Sequence, residues 1–252
     1  MADVERVVLV TGGSRGIGRA IAARFAEQGA TVVVHYATQE AAAQETLASL
    51  AGEKHLALSA DLRDPEAVQS LVQRVVAAFG RVDVLVNNAG IYEEHPVLST
   101  SYAQWRDSWR CTIETNLVGP ANLIHEVAPH MVANGGGRIV NVSSRGAFRG
   151  EPHHTAYGAS KAGLNSLGQS LAQELAPHGI YVTTVAPGFV ETDMAAELLD
   201  GPTGDAIREQ SPMRRVATPD EIARVVVFLA SPGSESATGT IVDVNGASYL
   251  RT

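Results

Sequence analysis

Arg6-Val7-Val8-Leu9-Val10-Thr11-Gly12-Gly13-Ser14-Arg15-Gly16-Ile17-Gly18 is the stretch whose order decides the fold. Residues 6–10 are an apolar run without alternation, which predicts a strand covered on both faces. Residues 16–28 carry a helical pattern that stops at Gly29. Between them lies a turn of small residues. Such a turn lets the backbone approach a pyrophosphate, and the helix start behind it offers free N–H groups and the positive end of a dipole. The spacing is T-G-x-x-x-G-x-G rather than G-x-G-x-x-G, and tight turns also use glycine for their own geometry. Its place between a strand and a helix, opening a βαβ unit, favours a dinucleotide cradle.

The same rhythm continues outward. Strands are predicted at 31–36, 55–59, 82–86, 138–142, 180–185 and 240–244. Helices are predicted at 39–50, 65–79, 155–176 and 220–230, with a long helical pattern over 101–134 bent near Gly119-Pro120. Pro65 just inside one helix and Gly80 after it are ordinary punctuation. This alternation predicts an α/β, doubly wound parallel sheet with helices on both faces. No linker, repeat or low-complexity segment interrupts residues 1–252, so one domain is expected.

Composition narrows the classes. With 27 acidic and 19 basic residues the net charge is −8, which argues against nucleic acid as a partner. No apolar run is long enough to cross a membrane. The opening Met1-Ala2-Asp3-Val4-Glu5-Arg6 lacks the basic-then-apolar order of a leader. Cys111 is the only cysteine, so no internal disulfide forms. Together these lead to the expectation of a cytoplasmic protein. His153-His154 has no nearby set of Cys, Asp or Glu to complete a metal site, and no metal is expected.

Tyr157-Gly158-Ala159-Ser160-Lys161 puts a phenol and an ammonium one helical turn apart. A tyrosine ordinarily ionises near pH ~10, and a neighbouring cation favours its phenolate. The pair is therefore a candidate proton-transfer device. Taken alone, the spacing is common on helices. Ser144 stands thirteen positions upstream of Tyr157 and would add a hydroxyl for a substrate oxygen.

TGGSRGIG at 11–18, Asn87-Asn88-Ala89-Gly90, Asn116, Ser144, Tyr157/Lys161 and Pro187-Gly188 occur in the order that marks the short-chain dehydrogenase/reductase family. The chain resembles that family over about residues 5–247. The resemblance implies a Rossmann-type sheet of about seven strands in order 3-2-1-4-5-6-7, NAD(P)-dependent oxidoreduction between carbonyl and secondary alcohol, and a homotetramer built partly from the helices of 101–134 and 155–176. It implies that Tyr157 is the general acid/base, that Lys161 lowers the Tyr157 pKa and holds the nicotinamide ribose, and that Ser144 polarises the substrate oxygen. Asn116 would sit at a helix irregularity and position a water that links Lys161 to solvent. The thirteen-residue gap selects Ser144 over Ser143. Plainer structural roles exist too: Ser144 as a loop cap, Asn116 as a partner for buried backbone.

For the cofactor, the resemblance places Gly12, Ser14, Arg15, Gly16, Ile17 and Gly18 at the phosphates, Asp61 and Leu62 around adenine, and Asn88, Ala89 and Gly90 along the adenosine ribose. Asp61 also reads simply as a turn residue. Pro187, Gly188, Val190 and Thr192 would meet the nicotinamide end. The second strand ends at Tyr36 after His35, with no acid before Glu40. An acid there binds the ribose 2′-hydroxyl of NAD and would repel a 2′-phosphate. Its absence, the Arg15 cation and the Thr38 hydroxyl favour NADP(H), with NAD(H) as the alternative. The second arginine that related NADP users often carry near Thr38 is missing.

The substrate would lie among residues 91–96, 145–154 and 189–212, with Tyr92, Arg145, Phe148, His153, Phe189 and Met194 as lining candidates. Gly201, Pro202 and Gly204 between short helical stretches suit a mobile lid at about 189–212. Within the family, SSRGAF, YGASKAGL and VAPGFVETDM resemble 3-oxoacyl-[acyl-carrier-protein] reductases. Those dock an acidic carrier protein, often through arginines, where this chain has Gly135 and His178. The alternatives are therefore a small-molecule ketoreductase, a reductase of carrier-bound 3-oxoacyl groups, and a non-catalytic NADP(H) sensor.

Overall fold

In β1 (Val7–Val10), alternate side chains enter two different cores: Val8 and Val10 one, Val7 and Leu9 the other. That is why the run is apolar without alternation: both faces of the strand are covered. The computed structural model describes residues 6–251; the N-terminal stretch, expected to carry no leader, falls on 1–5, outside the described residues.

Six further strands join β1: β2 (Thr31–Tyr36), β3 (Leu56–Ser59), β4 (Val84–Asn87), β5 (Gly137–Val142), β6 (Ile180–Pro187) and β7 (Ile241–Val244). They form one parallel sheet in the order β3-β2-β1-β4-β5-β6-β7, as expected. Helices α1 (Gly16–Glu27), α2 (Glu40–Ser49), α3 (Pro65–Phe79), α4 (Tyr102–Ile113), α5 (Gly119–Ala133), α6 (Gly146–Arg149), α7 (Thr155–Leu175), α8 (Asp193–Asp200), α9 (Gly204–Glu209) and α10 (Pro219–Leu229) follow in chain order. Ile21 and Phe25 of α1 and Ile222 and Val226 of α10 fill one core. Leu71 and Val75 of α3, Leu123 and Val127 of α5 and Ile180 of β6 fill the other. Each such side chain, fully buried, contributes roughly 1.5–3 kcal/mol.

Strand order reverses between β1 and β4, and the chain leaves their C-terminal ends in opposite directions. That is where a doubly wound sheet opens a crevice. Caps show which helix ends are finished by the protein itself. The Asp64 side chain accepts from Glu66 N at the start of α3, and Thr218 and Glu221 form a capping box on α10. α1 starts at Arg15 with no side-chain cap, so its first amides are left for another acceptor.

The 101–134 helix departs from expectation. The break lies not at Gly119-Pro120 but at residues 114–118, which form a π-helical turn. There the hydrogen bonds lengthen to five residues, as in Gly119 N–H to Glu114 O. Gly119 itself is pressed against Leu62, where an added Cβ would lie 2.7 Å from the Leu62 carbonyl oxygen.

Candidate active site

The Gly-rich turn is suspended between the ends of β4 and β2. On the β4 side, Thr11 N donates to Val86 O at 3.0 Å, and Thr11 Oγ1 accepts from Asn88 N and Ala89 N. Asn88 Nδ2 returns two bonds, to Thr11 O and Gly12 O. On the β2 side, Gly13 N donates to His35 O at 2.9 Å and Gly12 N to His35 Nδ1 at 3.2 Å. Gly12 has a φ of +61°, and a Cβ on Gly18 would stand 2.1 Å from Gly12 O. Only glycine lets the first turn of α1 pack this close to the loop. Ser14 O is held by Arg19 and Thr46 Oγ1.

This turn forms one end of a cavity of about 590 Å³. Its walls include Gly12, Ser14, Arg15, Gly16, Ile17, Tyr36, Thr38, Asp61, Leu62, Asn88, Ala89, Gly90, Pro187, Gly188, Val190 and Thr192. Of the predicted cofactor residues only Gly18 lies off the wall, behind Gly12. Arg15 is exposed and makes no ion pair among the described residues. Asp61 is bound by Arg63, with Nη2 to Oδ2 at 2.6 Å, and that contact holds its carboxyl below the usual range. Arg63, unforeseen from sequence, also lines this end.

The other end holds Ser144, Tyr157 and Lys161. Ser144 follows β5, and its hydroxyl accepts from Gly146 N at 3.0 Å, which fixes the turn into α6. Tyr157 and Lys161 are one turn apart on α7, as their spacing requires. Lys161 is 3 % exposed, and its Nζ donates to Val142 O at 2.8 Å. Burial lowers its pKa to about 8. The Tyr157 phenol does not follow the expectation of a lowered value. Burial pushes it up to about 12, against a hydrogen bond from Ser144 that lowers it, and the Glu151 charge adds to the rise. The physical reason is distance and desolvation: Lys161 Nζ lies 5.7 Å from the Tyr157 ring centre and spends a bond on Val142 O.

Asn116 sits in the π-helical turn, fully buried. Its Oδ1 accepts from Ile91 N at 2.9 Å, and its Nδ2 donates to Ile91 O and to Ser160 Oγ. Ser160 Oγ in turn donates to Tyr157 O. Asn116 thus joins the loop after β4 to the helix that carries Tyr157 and Lys161, from behind Gly90 rather than from the cavity wall. A Cβ on Gly90 would lie 3.3 Å from Asn116 Oδ1 and 3.4 Å from Lys161 Nζ.

Substrate-lining candidates divide. Tyr92, Arg145, Phe189 and Met194 line the cavity; Phe148 and His153 do not. Phe148 instead lies under the Arg251 guanidinium at 4.4 Å. His153 is exposed at a φ of +66°, and its carbonyl accepts from His95 N. The neighbouring His154, also off the cavity wall, is stacked on Tyr92 at 3.8 Å, while Tyr92 meets Tyr157 edge-on at 4.8 Å. Arg145 is 3 % exposed; its guanidinium donates to Ser248 Oγ at 2.6 Å and Gln210 Oε1 at 2.7 Å and lies over the Phe189 ring. Glu151, another wall residue that the sequence does not single out, packs its side chain against Gly146. Its only sequence signal is its place in the loop. No cluster of three or more His, Cys, Asp or Glu suited to a metal occurs among the described residues. None of their helices is long and apolar enough to cross a membrane.

A nicotinamide dinucleotide fits this arrangement: uncapped α1, a loop that only glycine can form, and the unpaired Arg15 stand at one end, and a proton-handling set at the other. Comparison with known proteins agrees. A family model described as enoyl-(acyl carrier protein) reductase matches residues 12–247. The chain is 39 % identical over 249 residues to a 3-oxoacyl-[acyl-carrier-protein] reductase of Staphylococcus epidermidis, covering 98 % of this chain and 100 % of that one. It is 40 % identical over 245 residues to the enzyme of that name from Vibrio cholerae, covering 97 % and 98 %. The crystal structure of a dehydrogenase/reductase from Sinorhizobium meliloti superposes with a TM-score of 0.88 at 35 % identity, covering 97 % and 95 %. The fold, the cleft and these likenesses along the whole chain place it in the short-chain dehydrogenase/reductase family, as an oxidoreductase that acts on CH–OH and C=O groups with a nicotinamide cofactor.

Proposed function

We propose that the chain is an NADPH-preferring ketoreductase working on a small-molecule carbonyl. One observation carries the reading: Ser144, Tyr157 and Lys161 converge at one end of a cleft whose other end is an uncapped helix start beside a free arginine. When bound, the nicotinamide supplies or accepts the hydride. With its pKa near 12, the Tyr157 phenol keeps its proton at neutral pH and is the acid that protonates the carbonyl oxygen. Ser144 Oγ–H donates to that same oxygen and polarises it. Lys161, mostly cationic below pH 8, stabilises the phenolate left behind. Asn116 holds the Tyr157 helix and the loop after β4 in register. Arg15 and Thr38 would take the adenosine 2′-phosphate; Tyr36 replaces the acid that would repel it. Residues 189–212 would close over the substrate as a lid.

A second reading rests on the whole-chain likeness to 3-oxoacyl-[acyl-carrier-protein] reductases: the substrate would be a 3-oxoacyl thioester on a carrier protein. Gly135 and His178 offer no arginine, and they lie just before β5 and β6, at the opposite end of the strands and of α7 from Tyr157. Exposed Tyr102, Val118 and Val132 support assembly through α4 and α5 into a homotetramer, which light scattering on the purified protein would check.

The test is NADPH consumption over acetoacetyl thioesters, free and carrier-bound, together with β-ketoesters, diketones, quinones and sugars. A carrier-bound thioester used far better than its free analogue selects the second reading. Tyr157→Phe should lower turnover about 10²–10⁴-fold with little change in NADPH affinity. Full activity in that variant removes Tyr157 from the mechanism, and cofactor binding with no turnover on any carbonyl selects the sensor.

A further inference from the structure

His35 is the last-but-one residue of β2 and is 2 % exposed. Both of its ring nitrogens are engaged, on two different walls of the cofactor cleft. Nδ1 faces Gly12 N at 3.2 Å, and Nε2 faces Ala60 O at 3.0 Å. A main-chain N–H can only donate and a carbonyl can only accept, so the tautomer is fixed: Nδ1 carries the lone pair and Nε2 the proton. Burial favours this neutral ring and lowers its pKa to about 4. Gly12 opens the phosphate turn at a φ of +61°; Ala60 leads directly into Asp61 and Leu62, the wall expected around adenine.

We propose that the His35 imidazole is the positioning residue of the dinucleotide site, a double-ended tie that sets the Gly12 turn against the Ala60–Leu62 wall and thereby sets affinity for NADPH and NADH alike. The inference rests on the nicotinamide reading of the cleft. The main-chain bond from Gly13 N to His35 O survives any substitution, so it anchors the turn but leaves the Gly12 amide without direction. Without the ring acceptor, that N–H turns away or is left without its protein partner in the half-buried turn. Beyond β1 the strand ladder offers no substitute, because β1 and β2 pair only as far as Val10 and Val34.

Three substitutions separate the two ends of the tie. In His35→Asn, Oδ1 stands where Nδ1 stood and still accepts from Gly12 N, while Ala60 is no longer reached. In His35→Gln, the terminal amide reaches towards Ala60 O but leaves no acceptor opposite Gly12. His35→Leu loses both. Dissociation constants for NADPH and NADH are measured by fluorescence titration, with kcat and KM on a responding carbonyl and a thermal melt for each variant. The expected result is His35→Leu weaker by about tenfold or more for both nucleotides, with His35→Asn and His35→Gln, each keeping one end of the tie, between His35→Leu and the parent. KM for NADPH should rise with kcat at saturation unchanged, a split that mere loss of folded protein does not produce. Leu binding within about twofold of the parent, or affinities that follow melting temperature with no rescue by Asn, overturns the proposal and leaves the functional reading standing. A parent protein that binds neither nucleotide overturns both.

Discussion

At the Gly12 end of the cleft, side chains and strand ends hold main-chain groups from two sides; at the Phe189 end, a short excursion of chain is held mostly by itself. Thr11, Asn88 and His35 bond the turn from β4 and β2. Residues 189–212 instead pack a small core, with Ala195, Leu199, Ile207 and Phe189 closed by Val216 just beyond them. The bridge from Val190 to Ala217 lies outside the sheet; Arg145 to Gln210 and Ser211 Oγ to Gly246 O tie the segment to the rest of the molecule. Met194 and Leu198 line the cavity yet are 53 % and 38 % exposed. The first arrangement fixes the main-chain groups of the turn in place. The second leaves apolar surface that a substrate can cover, so one end can stay constant while the other accommodates different carbonyls.

Breaking the fixed end should have the largest effect. Gly18→Ala would drive a Cβ to 2.1 Å from Gly12 O and 2.6 Å from Asn88 Nδ2, both parts of the bonded turn. Neither is the free end of a side chain, so the loop must move. NADPH affinity should fall by about 100-fold or more, with a stability loss of about 1–3 kcal/mol. Unchanged binding by calorimetry would show that the turn is less rigid than its hydrogen bonds require. Next comes pH. Lys161 has a pKa lowered to about 8, so its charge is present below that value and lost above it. Tyr157 keeps its proton until about pH 12. In the reductive direction, kcat/KM should be level below pH 8 and fall towards tenfold per pH unit above it; a profile flat to pH 10 removes the Lys161 charge from the mechanism.

The same contrast separates what the sequence declares by itself from what only packing decides. The turn at 11–18 is legible because its function lies in the backbone, and backbone demands leave a fixed trace of glycines. The strand order follows from the family resemblance; the strand–helix rhythm gives the parallel sheet. Tyr157 and Lys161 are legible as a pair because helix spacing fixes their distance, and Ser144 joins them through the family resemblance. The upward shift of Tyr157 is not, since it depends on how much protein surrounds the phenol. His153 and His154 look alike in sequence, and neither reaches the cavity wall: His153 is exposed at a positive φ, and His154 stacks on Tyr92. Phe148 leaves the substrate wall because Arg251, far away in sequence, covers it. The π-helical turn ends just before Gly119-Pro120, where Gly119 packs on Leu62, a tertiary contact with no local signature.

A smaller change sharpens the cofactor end without disturbing its frame. Arg15 is exposed at the start of α1 and caps nothing. Arg15→Ala should leave the turn intact, weaken NADPH by about tenfold and leave NADH within about twofold, since a charge-assisted bond at a wet site is worth about 1–2 kcal/mol. An equal loss for both nucleotides places Arg15 at the pyrophosphate rather than the 2′-phosphate. Together with the His35 series, this separates residues that distinguish the nucleotides from residues that shape the shared site.

The smallest effect is expected at the other end, at Arg145. Its guanidinium is buried yet bonded only to neutral acceptors, Ser248 Oγ and Gln210 Oε1, and burial lowers its pKa. In Arg145→Met, two hydrogen bonds and the stack on Phe189 disappear, but so does the cost of holding a cation out of water. Gln210 is exposed and returns to solvent, so no acceptor there is stranded. These terms nearly offset, and the fold should lose about 1 kcal/mol or less. What is lost is the connection: nothing else in the loop after β5 reaches both Gln210 beyond α9 and Ser248 near the C-terminus. KM for the carbonyl should therefore rise a few-fold while the NADPH dissociation constant stays put. If NADPH affinity falls as much as substrate affinity, the two ends of the cleft are mechanically one, and the contrast between them fails.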